Sequence, residues 1–101
     1  MSRVVGIHQL TLKEGITSEA FEKFFKEEFI VLGADFTGVK SSLFKGDKGN
    51  REGEYMMLVE FESVETRDRL FPRSGEVPKE AQASFRIFDY VSSDWTDYVE
   101  I

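Results

Sequence analysis

Apolar and polar positions alternate first over Val4–Leu12, VVGIHQLTL. At period two, one face carries Val5, Ile7, Gln9 and Thr11, and the other Val4, Gly6, His8, Leu10 and Leu12. Apolar residues on both faces predict a strand that is covered on both sides. Ile16-Thr17 then opens a helix. With Thr17 as N-cap, Ile16 and Phe21 take the spacing of a hydrophobic staple. Phe21, Phe25, Phe29 and Leu32 follow at three- and four-residue spacing, with Glu22, Lys23, Lys26 and Glu27 opposite, and Gly33 suits the C′ position. A second strand is expected from about Gly38 to Lys45. A polar, glycine-rich hairpin loop follows, and then a third strand over 54–62, with Tyr55, Met57, Val59 and Phe61 on one face and Met56, Leu58 and Glu60 on the other. Ser63 caps a short helix that Pro72 stops. Pro78 suits the first turn of another helix reaching about Val91, with Ala81, Phe85, Phe88 and Val91 on one stripe. Ser92-Ser93-Asp94 is expected to break it before a final strand over 95–101.

This order, βαββαβ, predicts a single ferredoxin-like α+β domain over 1–101: a four-stranded antiparallel sheet with its helices on one face. The opposite face is left bare. It would hold His8, Leu10 and Leu12 if Ile7, Gln9 and Thr11 look toward the helices. A second copy related by a two-fold axis is the simplest cover for such a surface, so the expected partner is the chain itself.

Composition narrows the function classes. Ten phenylalanines, three tyrosines and one tryptophan in 101 residues supply more apolar surface than four strands and two helices hide alone. A net charge of −6, without clustered Lys and Arg, argues against nucleic acid and against anionic membranes. No apolar run approaches the length of a membrane span, and Met1-Ser2-Arg3 does not lead into a signal-peptide segment, so a cytoplasmic protein is expected. Without cysteine there is no disulfide framework or thiolate chemistry. Gly46, Gly49 and Gly53 lack the Gly-Lys-Ser/Thr pattern and following helix of a phosphate cradle.

Three short motifs carry a resemblance. Leu10-Thr11-Leu12-Lys13-Glu14-Gly15 precedes the first helix, Gly38-Val39-Lys40-Ser41 opens the second strand, and Leu58-Val59-Glu60-Phe61-Glu62-Ser63 runs from the third strand into a helix. With these the chain resembles the dimeric α/β-barrel superfamily: stress-responsive A/B-barrel proteins, antibiotic-biosynthesis-type monooxygenases, NIPSNAP-like proteins and small haem-degrading oxygenases. The resemblance implies two ferredoxin-like units packed sheet to sheet, each with a cleft between sheet and helices. In the haem-degrading branch a polar residue stands seven positions before the glycine, a tryptophan ends the third strand and a second-helix histidine ligates iron. Here His8 and Phe61 hold the first two positions, and no residue from Ser63 to Val91 is histidine, so no haem or other cofactor is expected. In the A/B-barrel branch the strand histidine lies nine positions before that glycine, where this chain has Gly6.

His8, the only imidazole, is the natural acid/base group and the candidate base, with Tyr55 or Tyr98 as donor. One histidine without cysteine makes a metal site a poor expectation. Glu60, alternating with Met56 and Leu58, is either a buried carboxylate or a solvated strand-end residue. Leu10, Phe61, Glu60 and Trp95 are the candidate ligand contacts. Lys40 and Ser42 share a strand face that is either a solvated edge or a side of the cleft, Arg73-Ser74-Gly75 is either a surface loop or an anion-binding cover, and Phe21, Phe25 and Phe29 are read as helix-to-sheet core. Two functions fit: a small, largely apolar ligand handled by a cofactor-independent monooxygenase-like or polyketide-cyclase-like enzyme, or a non-catalytic dimeric module.

Overall fold

The computed structural model describes residues 3–30, 38–73, 75 and 82–101. Four strands, β1 (Val4–Leu12), β2 (Val39–Lys45), β3 (Tyr55–Phe61) and β4 (Val91–Val99), form one antiparallel sheet in the order β2-β3-β1-β4. The first crossover carries α1 (Ser18–Phe24), continued by a π-helical turn over Phe25–Phe29. The second carries α2 (Val64–Leu70) and a 3₁₀ segment, Ala83–Asp89. This is the ferredoxin-like α+β arrangement. No helix among the described residues is long and apolar enough to cross a membrane.

The helix starts follow their caps. Thr17 Oγ1 accepts from the Ala20 N–H, and Ser63 Oγ accepts from the Thr66 N–H, each satisfying a donor that a first turn leaves unpaired. Phe21, fully buried, packs edge-on against Tyr55 at 5.2 Å between ring centres. The helix does not stay α-helical. At its end the Ile30 N–H bonds to the Phe25 carbonyl, five residues back, and Phe25 and Phe29 stack at 4.9 Å. Leu32 and Gly33 lie outside the described residues.

The register fixes which face of each strand is inside. Val4, Gly6, His8 and Leu10 stand opposite Phe61, Val59, Met57 and Tyr55. The β3 residues of that set are buried, as are Val4 and Leu10, so this face packs against the helices. The sequence expectation for β1 is therefore reversed: His8, Leu10 and Leu12 look inward. Val5, Ile7, Gln9 and Thr11 look outward beside Met56, Leu58, Phe44, Thr96 and Tyr98. Polar residues occur on both sides of β1, so its own alternation does not choose; pairing with the strongly apolar inner face of β3 does. The last strand also differs from expectation. It begins at Val91, fully buried, and Ser92-Ser93-Asp94 pairs with Thr11, Leu10 and Gln9 instead of breaking a helix.

Candidate functional site

A cavity of about 620 Å³ lies between the inner sheet face and the helical layer. Its sheet side is built from His8, Ser41, Met57, Val59, Phe61, Trp95 and Asp97. The helical side supplies Phe29 and Ile30 from the π turn and its end, Arg67 from α2, Phe71 and Pro72 beyond it, and Phe85, Ile87 and Phe88 from the 3₁₀ segment. Most of this lining is aromatic or aliphatic. The volume falls in the range of small-molecule sites.

Three titratable groups gather where β1 and β4 run side by side: His8, Asp97 and, reaching in from α2, Arg67. Gly6 stands opposite Asp97, and His8 opposite Trp95. A Cβ on Gly6 would sit 2.8 Å from Asp97 Oδ1 and 3.5 Å from His8 Nε2. The missing side chain thus makes a notch over which the carboxylate lies. From there Asp97 Oδ2 accepts a 2.7 Å bond from Arg67 Nη1, and both side chains are about four-fifths buried, at 20% and 18% exposure. Arg67 Nε also donates to Asp68 Oδ1 at 2.7 Å. These two bonds leave three of the five guanidinium N–H groups without a protein partner among the described residues.

His8 is oriented by two contacts. Nδ1 lies 2.9 Å from Ser93 Oγ, and the ring stacks on the Trp95 indole at 5.8 Å with planes 19° apart. Burial pulls its pKa below the usual histidine value, and the Asp97 carboxylate opposes that pull without cancelling it. At neutral pH the ring is therefore neutral, with Nε2 on the side of the Gly6 notch. A neutral imidazole beside an apolar cavity is chemically a proton acceptor.

Of the candidate catalytic and ligand-contact residues, His8, Phe61 and Trp95 come together in this cavity. The others do not. Tyr55 is buried one inner position beyond Met57 along β3, packed against Phe21 of α1. Its hydroxyl donates to Glu22 Oε2, and burial with that bond raises its pKa. Tyr98 projects from the outer face opposite Val5, away from the cavity. Leu10 is core beside Tyr55. Glu60 also lies on the outer face, where it is half-buried and accepts a 3.1 Å bond from Arg3, so it is an ion-paired strand-end carboxylate away from the cavity. Ser42 is likewise on the outer face, while Lys40 touches the cavity edge. Arg73 and Gly75 are exposed, and Ser74 lies outside the described residues. Phe29 is cavity lining as well as core.

Sequence reasoning missed Asp97, Arg67 and the role of Gly6. The available signal was a glycine inside a strand, which marks a close approach by another group. A second signal was an aspartate whose period-two neighbours are Trp95 and Val99. That α2 would bring Arg67 to the carboxylate had no local signature.

The class defined by fold and site is a ferredoxin-like α+β domain with a ligand-sized cavity between sheet and helices. No family model matches the sequence, and no curated protein matches it. Solved structures do. A ferredoxin-like DABB family protein from Mesorhizobium loti is 17% identical, covering 100% of this chain and 99% of its own, with a TM-score of 0.71. SnoaB of Streptomyces nogalater, a cofactor-independent oxygenase, is 15% identical over 100% of this chain and 95% of its own, at 0.68. A dimeric ferredoxin-like protein of unknown function from Thermobifida fusca is 8% identical over 98% and 92%, also at 0.68. At these identities the likeness is one of fold, and it is the fold implied by the resemblance of the three sequence motifs.

Proposed function

We propose that this protein is a homodimer that holds a small, largely apolar molecule in the cavity behind each sheet. It acts there as a cofactor-independent monooxygenase-like or cyclase-like enzyme, with His8 as base. The observation that carries the reading is a neutral, stacked imidazole beside the mostly buried Asp97–Arg67 pair in a largely apolar cavity. Removing a proton from a phenol or enol leaves an electron-rich phenolate or enolate. That anion can give electrons to dioxygen, or, as the enolate, form a bond to an electrophilic carbon of the same molecule in a ring closure. The likeness of fold to a cofactor-independent oxygenase supports the first chemistry.

Support for the dimer comes from the outer sheet face. Ile7, Met56 and Leu58 lie there beside Phe44 and Tyr98, which are 49% and 52% exposed. One neighbour in fold is itself described as dimeric. The competing reading, a non-catalytic dimeric module, fits a cleft filled by its own side chains. The open volume beside His8, with Asp97 and Arg67 as further polar tips, favours the enzyme.

The test is oxygen uptake and product formation on a panel of phenols and linear polyketide-like enols, with the wild type and His8→Ala. Loss of the base is expected to lower turnover by about a hundredfold or more. Unchanged turnover in the variant removes His8 as base. A panel on which the wild type does nothing, together with a cavity that takes up no ligand, leaves the module.

A further inference from the structure

This polar cluster contains more than a base. Arg67 is mostly buried, reaches the cavity, and is tied by Asp97 across a position where any side chain would collide with the carboxylate. A guanidinium held by its Nη1 and Nε edges is fixed in orientation, and its remaining donors suit an oxygen anion. Resting on the reading of the cavity as a ligand site, we propose that Arg67 is its specificity-determining residue and binds the oxyanion that a phenolic or enolic ligand becomes when its proton passes to His8.

The charge balance supports this. Against His8 lie Ser93, Trp95 and the Asp97 carboxylate from β4 and the apolar Met57 from β3, and Arg67 from α2 joins the same cavity through Asp97. With His8 neutral, the mostly buried Asp97 and Arg67 cancel, while Asp68, the second carboxylate on Arg67, is half exposed and screened by solvent. A ligand that arrived as an anion would add an unbalanced charge. A ligand that arrives as a neutral acid and gives its proton to His8 creates one imidazolium and one oxyanion, and the cluster stays balanced. The transfer is O–H broken and N–H formed, with no oxidant and no lost atom. Asp97 acts through Arg67 as a positioning residue, and Gly6 is what lets it do so.

The measurement uses p-nitrophenol, whose ionised form has its own absorption band, and p-nitroanisole, the same ring without an acidic proton. In the wild type p-nitrophenol is expected to bind more tightly than p-nitroanisole at mildly acidic pH, and to be bound as the anion although the free phenol is largely neutral. Arg67→Met should lower that preference about tenfold and return the bound phenol to its neutral band, with p-nitroanisole affinity unchanged. Gly6→Ala, which keeps every charge but displaces the Asp97 carboxylate, should move both readouts in the same direction, and Arg67→Lys should restore part of the preference. Thermal melts on each variant identify any that does not fold. If both probes bind and the preference survives Arg67→Met or Gly6→Ala in a folded protein, the assignment to Arg67 is wrong while the cavity reading stands. Wild-type protein that binds neither probe overturns both.

Discussion

His8 couples the site to the stability of the chain. Burial places its folded pKa below the value of an unfolded histidine, so over the window just below pH 6.5 the unfolded chain binds more protons than the folded one. Stability from this group is fully present above that window and falls as pH drops through it. His8→Gln keeps a polar side chain at the position and removes the titration. Its melting temperature should fall less between pH 7 and pH 5 than that of the wild type, and equal falls would mean that the imidazole is solvated. This residue was legible from sequence because it is the sole imidazole, on a strand. Its direction was not, since β1 carries polar residues on both faces. Tyr55 and Tyr98 show the same limit. Their chemistry suited a donor, but β3 puts one under α1 and β4 puts the other outside.

Local rules served best at the level of the elements. Staple, N-caps and apolar periodicity located α1 and α2, because a capped start and a repeating stripe are encoded within a few residues. They failed where the backbone departs from the α-helix. The π turn gives Phe25 and Phe29 a stacked arrangement and brings Phe29 and Ile30 to the cavity, and nothing in the i, i+4 spacing distinguishes it from a regular turn. The 3₁₀ segment likewise ends at Asp89, so Val91 begins β4 instead of ending a helix. Two substitutions test the elements. Phe21→Ala empties a fully buried site under β3 and should cost about 3–5 kcal/mol in denaturant unfolding. Ser63→Ala removes the α2 cap and should cost about 1 kcal/mol, with the cavity's affinity for ligand weakened to the extent that α2 carries Arg67. A Phe21→Ala loss below 1 kcal/mol would mean that the helix does not seal that side of the sheet.

For the whole molecule, the four-stranded antiparallel sheet with its helices followed from the βαββαβ succession, while the strand order β2-β3-β1-β4 came from the structure. The bare face followed with them, though not its residues. That face now reads Val5, Ile7, Phe44, Met56, Leu58 and Tyr98, with Glu60 paired to Arg3 at its margin. Leu58→Lys puts a charge in the middle of it. Sedimentation is expected to give a two-chain particle for the wild type and a single-chain particle for Leu58→Lys, with the fold retained by circular dichroism. A wild-type chain that sediments alone at micromolar concentration would show that this face needs no twin. The site at the cavity wall was the least legible part, because it joins Gly6, Arg67 and Asp97, residues far apart in the chain that only the completed sheet and α2 bring together.

The stack of Trp95 on His8 gives the molecule its own optical gauge. The chain's sole indole lies nearly parallel to its sole imidazole, so an imidazolium forming there quenches the light that indole emits. Brightness followed against acidity then traces the charging of a single ring without a label, and a guest lodged against that ring would displace the curve.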